Sequence, residues 1–376
     1  MAFPSRCRPV LLPAAERGAA ALLRPTAGHV VVVGPGRADQ LAAAGLLLDA
    51  CEADAPLALV ADDPTASLAE PPCTPGLVFF SSGTTAKPRA LHRPWAALDA
   101  ETSAHGSPHD RLLLTFNLAR YAGLQVLFHC RRHGSGLIVP ESLRDAAAIV
   151  AAGAAEGATH LSATPSLLKR LVQLGAPERL AGLRQITLGG EYATQAALDL
   201  VRRCWPAARV TTIYASSEGG ACFSASDGRE GFPAELLGRG REGRVGELAA
   251  SGELVVTLPG GRAVHTGDFF ERAGDRVLFR GRREDLINVG GYKVSPAKVE
   301  RVILGVAGVE ECRVVGRPSP VLGEVVTAEI VGEFDLAAVR AACRAGLERP
   351  EVPVTLRQVE RLELSAAQKL LRSVVA

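Results

Sequence analysis

The sequence predicts an α/β fold: a large N-terminal α/β domain with a small β-rich subdomain, followed by a small α+β domain. Three observations predict it. Apolar strand-like runs alternate with Ala/Leu-rich helical stretches over more than half of the 376 residues, as a sheet with helices on both faces requires. After Gly238, short strand-like runs joined by Gly-rich turns replace that rhythm. From about Asp285 a helix, two strands, a second helix and a last strand follow. The division predicted is 1–283 and 284–376.

The elements follow in order. Residues 29–33 read as a strand and 38–50 as a helix. Strands are expected at 57–60, 77–80, 112–116 and 136–139, and helices at 143–155 and 166–174. Strands at 183–188 and 210–214 flank a helix at 194–204. The runs 247–258 and 265–279 are strands, with turns at Pro259-Gly260-Gly261 and Ala273-Gly274-Asp275. A helix at 296–304, strands at 312–316 and 325–331, a helix at 336–347 and a strand near Val359 complete the chain. Gly34-Pro35-Gly36 mimics a dinucleotide-binding turn, but Asp39 stands where a third small residue would pack helix on strand, so a plain turn is expected.

Composition narrows the function classes. Hydrophobic residues make up 47% and charged residues 22%, ordinary for a globular protein. A net charge of +2 argues against nucleic acid or an anionic membrane as the main partner. Eight scattered cysteines without C-x-x-C spacing, no signal-peptide pattern and no apolar run of spanning length point to the cytoplasm. The cations are almost all Arg; only Lys87, Lys169, Lys293, Lys298 and Lys369 are lysines.

The richest segment is Ser81-Ser82-Gly83-Thr84-Thr85-Ala86-Lys87-Pro88-Arg89, behind the apolar run 76–80. Hydroxyls and backbone N–H groups can wrap a phosphate chain while the cations balance its charge. The segment lacks the Gly-Lys-Ser/Thr of a Walker A loop. Alone it would be an ordinary polar loop, but four further segments accompany it. Tyr214-Ala215-Ser216-Ser217-Glu218 sets a hydroxyl beside a carboxylate at a strand end, where Ser217 can hold a phosphate oxygen and Glu218 a divalent cation. Thr266-Gly267-Asp268 puts a carboxylate after a tight turn, suited to a ribose diol. The run 281–296 contains Arg282, Glu284, Gly290 and Gly291. Finally, 365–372 contains the lone Lys369.

The order of these five motifs resembles the acyl-adenylate-forming superfamily, over roughly four-fifths of the chain. The resemblance implies ATP-dependent activation of a small aryl or acyl carboxylic acid to acyl-AMP, then transfer to the thiol of CoA. An alternative it leaves open is loading of a carrier protein, through its phosphopantetheine, or of an amine. A nucleotide-binding pseudoenzyme is a third reading. By resemblance, Ser81, Ser82, Gly83, Thr84, Thr85 and Lys87 cradle the β- and γ-phosphates. Tyr214 stacks on adenine beside Gly189-Gly190-Glu191. Ser217 and Glu218 hold the α-phosphate and Mg²⁺, Asp268 and Arg282 hold the ribose, and Lys369 bridges the attacking carboxylate and the α-phosphate. The domain 284–376 is mobile in the resemblance, with Glu284 as hinge and Gly290-Gly291 lining the thiol tunnel.

The sequence also departs from the pattern. Ala86 replaces Gly, Arg89 replaces Lys, Ala215 replaces Gly, and Glu363 and Gln368 stand where Pro and Gly are usual. None of these removes a catalytic side chain. Only about 80 residues precede the phosphate motif, fewer than relatives carry, which leaves an edge for a partner or a second copy to cover. The stretch 114–124 falls where the family builds its acid pocket and holds Asn117, Arg120 and Tyr121 but no Asp, so an α-amino acid is not expected. Two alignments are open there, one presenting Arg120 and the other Ala119. An inward Arg120 would suit a polar or second acidic group on the substrate. His160 is the remaining pocket candidate.

Overall fold

A computed structural model describes residues 31–32, 34, 36–52, 58–61, 75–81, 89–102, 105–216, 219–241 and 243–362. The chain forms two compact units, Met1–Gly190 with Leu200–Asp227, and Glu191–Asp199 with Gly228–Ala376.

The first unit carries two sheets. In one, Val31–Val32, Ala58–Ala61 and Gly76–Ser81 run parallel, and Arg89–Pro94 closes the edge antiparallel to Gly76–Ser81. The Gly76–Ser81 strand is buried from Gly76 to Phe80, which is why it reads as a continuous apolar run rather than an alternating one. The other sheet has six strands. Gly136–Ile138, Arg111–Leu113, His160–Ala163, Gln185–Leu188 and Arg209–Ser216 are parallel, and Gly220–Ala225 is an antiparallel edge. Its helices are amphipathic or capped as the sequence dictates. Pro165–Gln173 starts behind Thr164, whose hydroxyl accepts the Leu167 N–H, and has Pro at its first position. Ala146–Ala155 starts behind Asp145, which accepts the Ala147 N–H.

The core of this unit joins Leu47, Leu77, Phe79, Trp95, Leu98, Leu114, Leu118, Leu124 and Phe128. One buried polar residue ties it together. Gln40, on the helix Arg37–Glu52, donates to the Gly34 carbonyl at 2.6 Å and accepts the Leu118 N–H at 2.9 Å. Both ends of a buried amide are thus satisfied, so it costs little to bury.

The second unit carries a six-stranded antiparallel sheet, ordered Phe232–Pro233, Arg276–Arg282, Ala263–Ala273, Glu253–Thr257, Arg244–Leu248 and Gly240–Arg241. It also carries a five-stranded sheet from Tyr292–Val294, Ile287–Val289, Gly323–Gly332, Val309–Ser319 and Thr355–Gln358. The helices Pro296–Leu304 and Leu336–Gly346 pack on the latter through Val299, Ile303, Val339 and Cys343. No helix among the described residues is long and apolar enough to cross a membrane.

The expected elements are mostly present, with additions that include the strand His160–Ala163 and the hairpin Ile287–Val289 to Tyr292–Val294. The strand Arg89–Pro94, the helices Trp95–Ala100 and Tyr121–His133, and the edge Gly220–Ala225 had no separate place in the sequence reading. The strand expected at 112–116 stops at Leu113. Beyond it the chain turns, because the Leu114 N–H bonds the Ile138 carbonyl and the Thr115 hydroxyl bonds the Ser162 carbonyl.

Candidate functional site

The phosphate motif is held at both ends by the first sheet. Ser81 and Arg89 are register partners, as are Phe80 and Ala90, so the sheet holds Ser81 and Arg89 opposite one another. Ser82, Gly83, Thr84, Thr85 and Lys87 themselves lie outside the described residues.

Arg120 reaches the strand Gly76–Ser81. Its Nη1 donates to the Phe80 carbonyl at 3.3 Å, one residue before Ser81. The residue before the helix Tyr121–His133 is Arg120 itself, with extended backbone. Asn117 shapes the turn: its Oδ1 accepts the Ala119 N–H at 2.8 Å and its carbonyl accepts the Arg120 N–H at 2.9 Å. Gly123 permits this, since a Cβ there would stand 2.3 Å from the Asn117 carbonyl oxygen. Ala119, the other alignment, is only 1% exposed and belongs to the core.

Two pocket candidates are placed elsewhere. Tyr121 is buried, stacks on Phe79 with centroids 6.0 Å apart and donates its hydroxyl to Glu101 at 3.0 Å. Its ring serves the core. His160 opens the strand His160–Ala163, at the amino ends of the parallel strands, whereas Asn117 and Arg120 follow the carboxyl end of Arg111–Leu113. The sheet therefore separates His160 from them by the length of a strand. His160 faces Asp110 at 3.8 Å, bonds Thr159 through Nδ1, and burial lowers its pKa. Its sequence neighbours Ala163-Thr164-Pro165, not His160, stand at the carboxyl end.

At that carboxyl end the six-stranded sheet presents the remaining first-unit motifs. Gly189 follows Gln185–Leu188, and its N–H bonds the Ala163 carbonyl. A Cβ on Gly189 would meet the Ile213 carbonyl oxygen at 3.6 Å, so it lies beside the residue preceding Tyr214. Gly190 adopts φ +78°. Tyr214 packs against Phe223 with centroids 6.0 Å apart. Ser216 pairs with Gly220 and its hydroxyl accepts the Gly219 N–H at 2.8 Å. Ser217 and Glu218 lie outside the described residues. In open α/β sheets ligands bind beyond the carboxyl ends of strands.

The second unit presents Asp268 and Arg282 as register partners on adjacent strands. Asp268 is 2% exposed, and its Oδ1 is 2.9 Å from Arg282 Nε. A carboxylate so buried needs a cation and further donors. The turn before it is built by a residue the sequence reading missed, Glu253. Its Oε1 accepts the Gly267 N–H at 3.0 Å, with Gly267 at φ +71°. Its Oε2 meets Arg283 Nη2 at 2.7 Å and His265 Nδ1 at 3.3 Å. Burial pushes the Glu253 carboxyl up, but the Gly267 N–H, His265 and Arg283 outweigh it and hold it below its ordinary value. Thr266 donates to the Leu254 carbonyl and accepts the Asp268 N–H. A carboxylate at the start of a strand, fourteen positions before the Gly267 N–H that it accepts, leaves no local pattern from which to find Glu253.

Glu191 opens the segment that joins the second unit. Glu284 sits in the single turn Arg283–Asp285 between the two sheets of that unit. Gly290 and Gly291, at φ +57° and +91°, make the hairpin from Ile287–Val289 to Tyr292–Val294. Left-handed values at two successive positions explain the pair of glycines. Lys369 lies outside the described residues.

A glycine turn beside a tyrosine in the first unit and a buried Asp–Arg pair in the second each suit a nucleotide-binding class of protein. Residues 12–268 match the family model described as AMP-binding enzyme, and 298–369 match the AMP-binding enzyme C-terminal domain. The chain belongs to the AMP-binding enzyme family. A 2-succinylbenzoate–CoA ligase of Listeria monocytogenes serotype 4b (strain F2365) is 26% identical over 332 residues, covering 79% of this chain and 68% of the relative. A sulfoacetate–CoA ligase of Cupriavidus necator (strain ATCC 17699) is 28% identical over 367 residues, covering 87% and 72%. Among solved structures, the anthranilate CoA ligase AuaEII in complex with anthranoyl-AMP superposes with a TM-score of 0.71 at 16% identity, over 94% of this chain and 88% of that one. The fold is that of adenylate-forming enzymes.

Proposed function

We propose that this protein is an AMP-forming acid–thiol ligase that activates a small aryl or acyl carboxylic acid with ATP and transfers it to CoA. The observation that carries the reading is the buried Asp268–Arg282 pair on its Glu253-braced turn, where the region that matches the family ends at Asp268.

In the first half-reaction a substrate carboxylate oxygen attacks the α-phosphorus. The bond from that phosphorus to the bridging oxygen breaks, and pyrophosphate leaves. This is displacement at phosphorus, so the protein's part is to position groups and neutralise charge. Ser81, Ser82, Gly83, Thr84, Thr85 and Lys87 wrap the leaving phosphates. Tyr214 and the 189–191 turn hold adenine, and Asp268 accepts the ribose hydroxyls while Arg282 fixes its carboxylate. Ser217 and Glu218 stand at the α-phosphate, where Glu218 is the ligand for Mg²⁺. Lys369 bridges the two reacting groups.

In the second half-reaction the CoA sulfur attacks the acyl carbon, the thiol proton passes to solvent and AMP leaves. The domain beyond Glu284 swings so that Gly290-Gly291 line the thiol tunnel. A carrier-protein phosphopantetheine presents the same thiol, and an amine is a further acceptor.

Arg120 favours an acid with a second acidic group. Its guanidinium bonds the Phe80 carbonyl in the strand Gly76–Ser81, and two relatives are named for acids of that kind.

The test is acid-dependent pyrophosphate release from Mg²⁺-ATP over a panel of aryl and short acyl acids, with and without a second anionic group, and with and without CoA. Release with one acid, accelerated by CoA and yielding a thioester, supports the ligase. Release indifferent to CoA moves the acceptor to a carrier protein or amine. ATP binding without release from any acid favours the pseudoenzyme.

A further inference from the structure

Helix Pro296–Leu304 lies beyond Glu284, yet one of its side chains is fastened to three chain segments that precede it. Arg301 Nε donates to Glu230 Oε1 at 3.0 Å, and its Nη2 donates to the Phe279 carbonyl at 3.0 Å. Its guanidinium lies over the Tyr192 ring, 5.7 Å from the centroid. The partners are braced in turn. Glu230 Oε2 accepts the Gln195 N–H at 3.1 Å, and its own N–H bonds Gln195 Oε1 at 3.0 Å. Tyr192 packs on Phe279 at 5.4 Å, and Phe279 meets Phe270 edge-on at 5.5 Å. Burial, and then the Glu230 charge, push the Tyr192 hydroxyl's pKa up. Ser295, at the start of the helix, adds a hydrogen bond to the Arg280 carbonyl.

The guanidinium fork is the group this arrangement needs. It makes a charge-assisted bond, a carbonyl bond and an aromatic contact at once, and the three point in different directions. With Arg301 and Glu230 only 26% and 16% exposed, water competes weakly for either.

We propose that Arg301 is a positioning residue: it latches the C-terminal helix to Tyr192 and thereby couples the adenine-side turn to the partition between the two half-reactions. Tyr192 directly follows Glu191, the last residue of the turn assigned to adenine. Nucleotide that orders 189–191 stabilises Tyr192 and, through Arg301, the helix. By reciprocity, a helix that is fastened favours nucleotide. To swing about Glu284 the enzyme must release all three contacts together, so they set how often the swing occurs. The proposal rests on the ligase reading for the half-reactions and on the structure alone for the latch.

Amide hydrogen exchange over 296–304 is the direct test, with and without Mg²⁺-ATP and no acid present. In the unmodified protein ATP should slow exchange there at least threefold. In Arg301→Ala exchange should be at least tenfold faster without ATP, and the ATP response should vanish. The ratio of thioester formation from supplied acyl-AMP to acid-dependent pyrophosphate release should shift at least fivefold. Arg301→Lys should rescue only partly, since one ammonium cannot serve Glu230 and the Phe279 carbonyl together. Complete rescue by Lys, or unchanged exchange in Arg301→Ala, overturns the latch, and an unchanged ratio overturns its role in partition. Should Arg301→Ala not fold, Glu230→Gln carries the same expectations. Failure of every acid to release pyrophosphate sinks the ligase reading and leaves the exchange arm to decide the latch.

Discussion

Asp268 shows how much one side chain's surroundings decide. A carboxylate 2% exposed, with the Arg282 guanidinium at 2.9 Å, suits the acceptor role proposed for it, because burial leaves little water to compete with a ligand hydroxyl. Hydrogen bonds to charged groups contribute about 1.5–3 kcal/mol. Asp268→Asn keeps the shape and loses the charge, so ATP affinity should fall by roughly ten- to a hundredfold. Calorimetric titration of each variant with ATP checks this, and wild-type affinity in the variant would remove Asp268 from the nucleotide site. Lys369→Ala should abolish acyl-AMP formation and spare thioester formation from supplied acyl-AMP. Measuring the half-reactions separately tests it, and equal loss of both would sink the role of Lys369.

At the scale of elements, the helix Tyr121–His133 bears two predictions. Its first turn accommodates Gly123 only because no Cβ is present: one would stand 2.3, 2.7 and 2.9 Å from backbone atoms of Asn117 and Phe116. Backbone cannot step aside as a side-chain tip can, so Gly123→Ala should cost about 1–3 kcal/mol. Urea denaturation would show it as a lower midpoint with an unchanged slope. Near its far end, His129 lies 4.6 Å from the His133 ring and 6.5 Å from that of His160, and its buried Nε2 has no hydrogen-bond partner among the described residues. Burial, then the charges of His133 and His160, lower its pKa from 6.5 to about 4. The fold holds His129 neutral while the unfolded chain protonates near 6.5. Stability is therefore full above that value and declines as pH falls toward 4, by up to about 3 kcal/mol. His129→Gln should flatten this slope in denaturation curves taken across that window, and an unaltered slope would assign the acid sensitivity to other groups.

The same helix explains what the sequence could and could not disclose. The 3.6-residue pattern of 121–133 is interrupted by Gln125 and by its basic last turn Arg131, Arg132 and His133, so the motif-like 114–124 stretch drew attention and the helix went unseen. Strand Gly76–Ser81 and helix Pro296–Leu304 were plain, the first from unbroken apolarity and the second from Ser295 and Pro296 at its start. Asp268 and Arg282 each stand in a local motif and so drew notice singly, while their pairing across adjacent strands was not foreseen. Glu253, Gln40 and Glu230 were not legible, because each acts on a turn or helix distant in sequence. The end of the sheet at which His160 stands was not legible, because no strand was expected at 160–163 from which to place it.

For the whole molecule, Arg282 is the most consequential residue. It is the last of the strand Arg276–Arg282, and Glu284 follows two positions later. On its near side the backbone is fixed by register pairing with Asp268, and the next side chain, Arg283, is tied to Glu253. The swing proposed about Glu284 needs a bearing that does not travel with it, and the partner of Asp268 is placed to supply one. With two soft torsions per residue, the turn Arg283–Asp285 offers only about six bonds in which to turn a domain. So few torsions do not yield a graded sweep; they switch between separated wells. On the proposed reading, the movement of the domain beyond Glu284 is a two-position event, timed by how long Arg282 stays paired with Asp268.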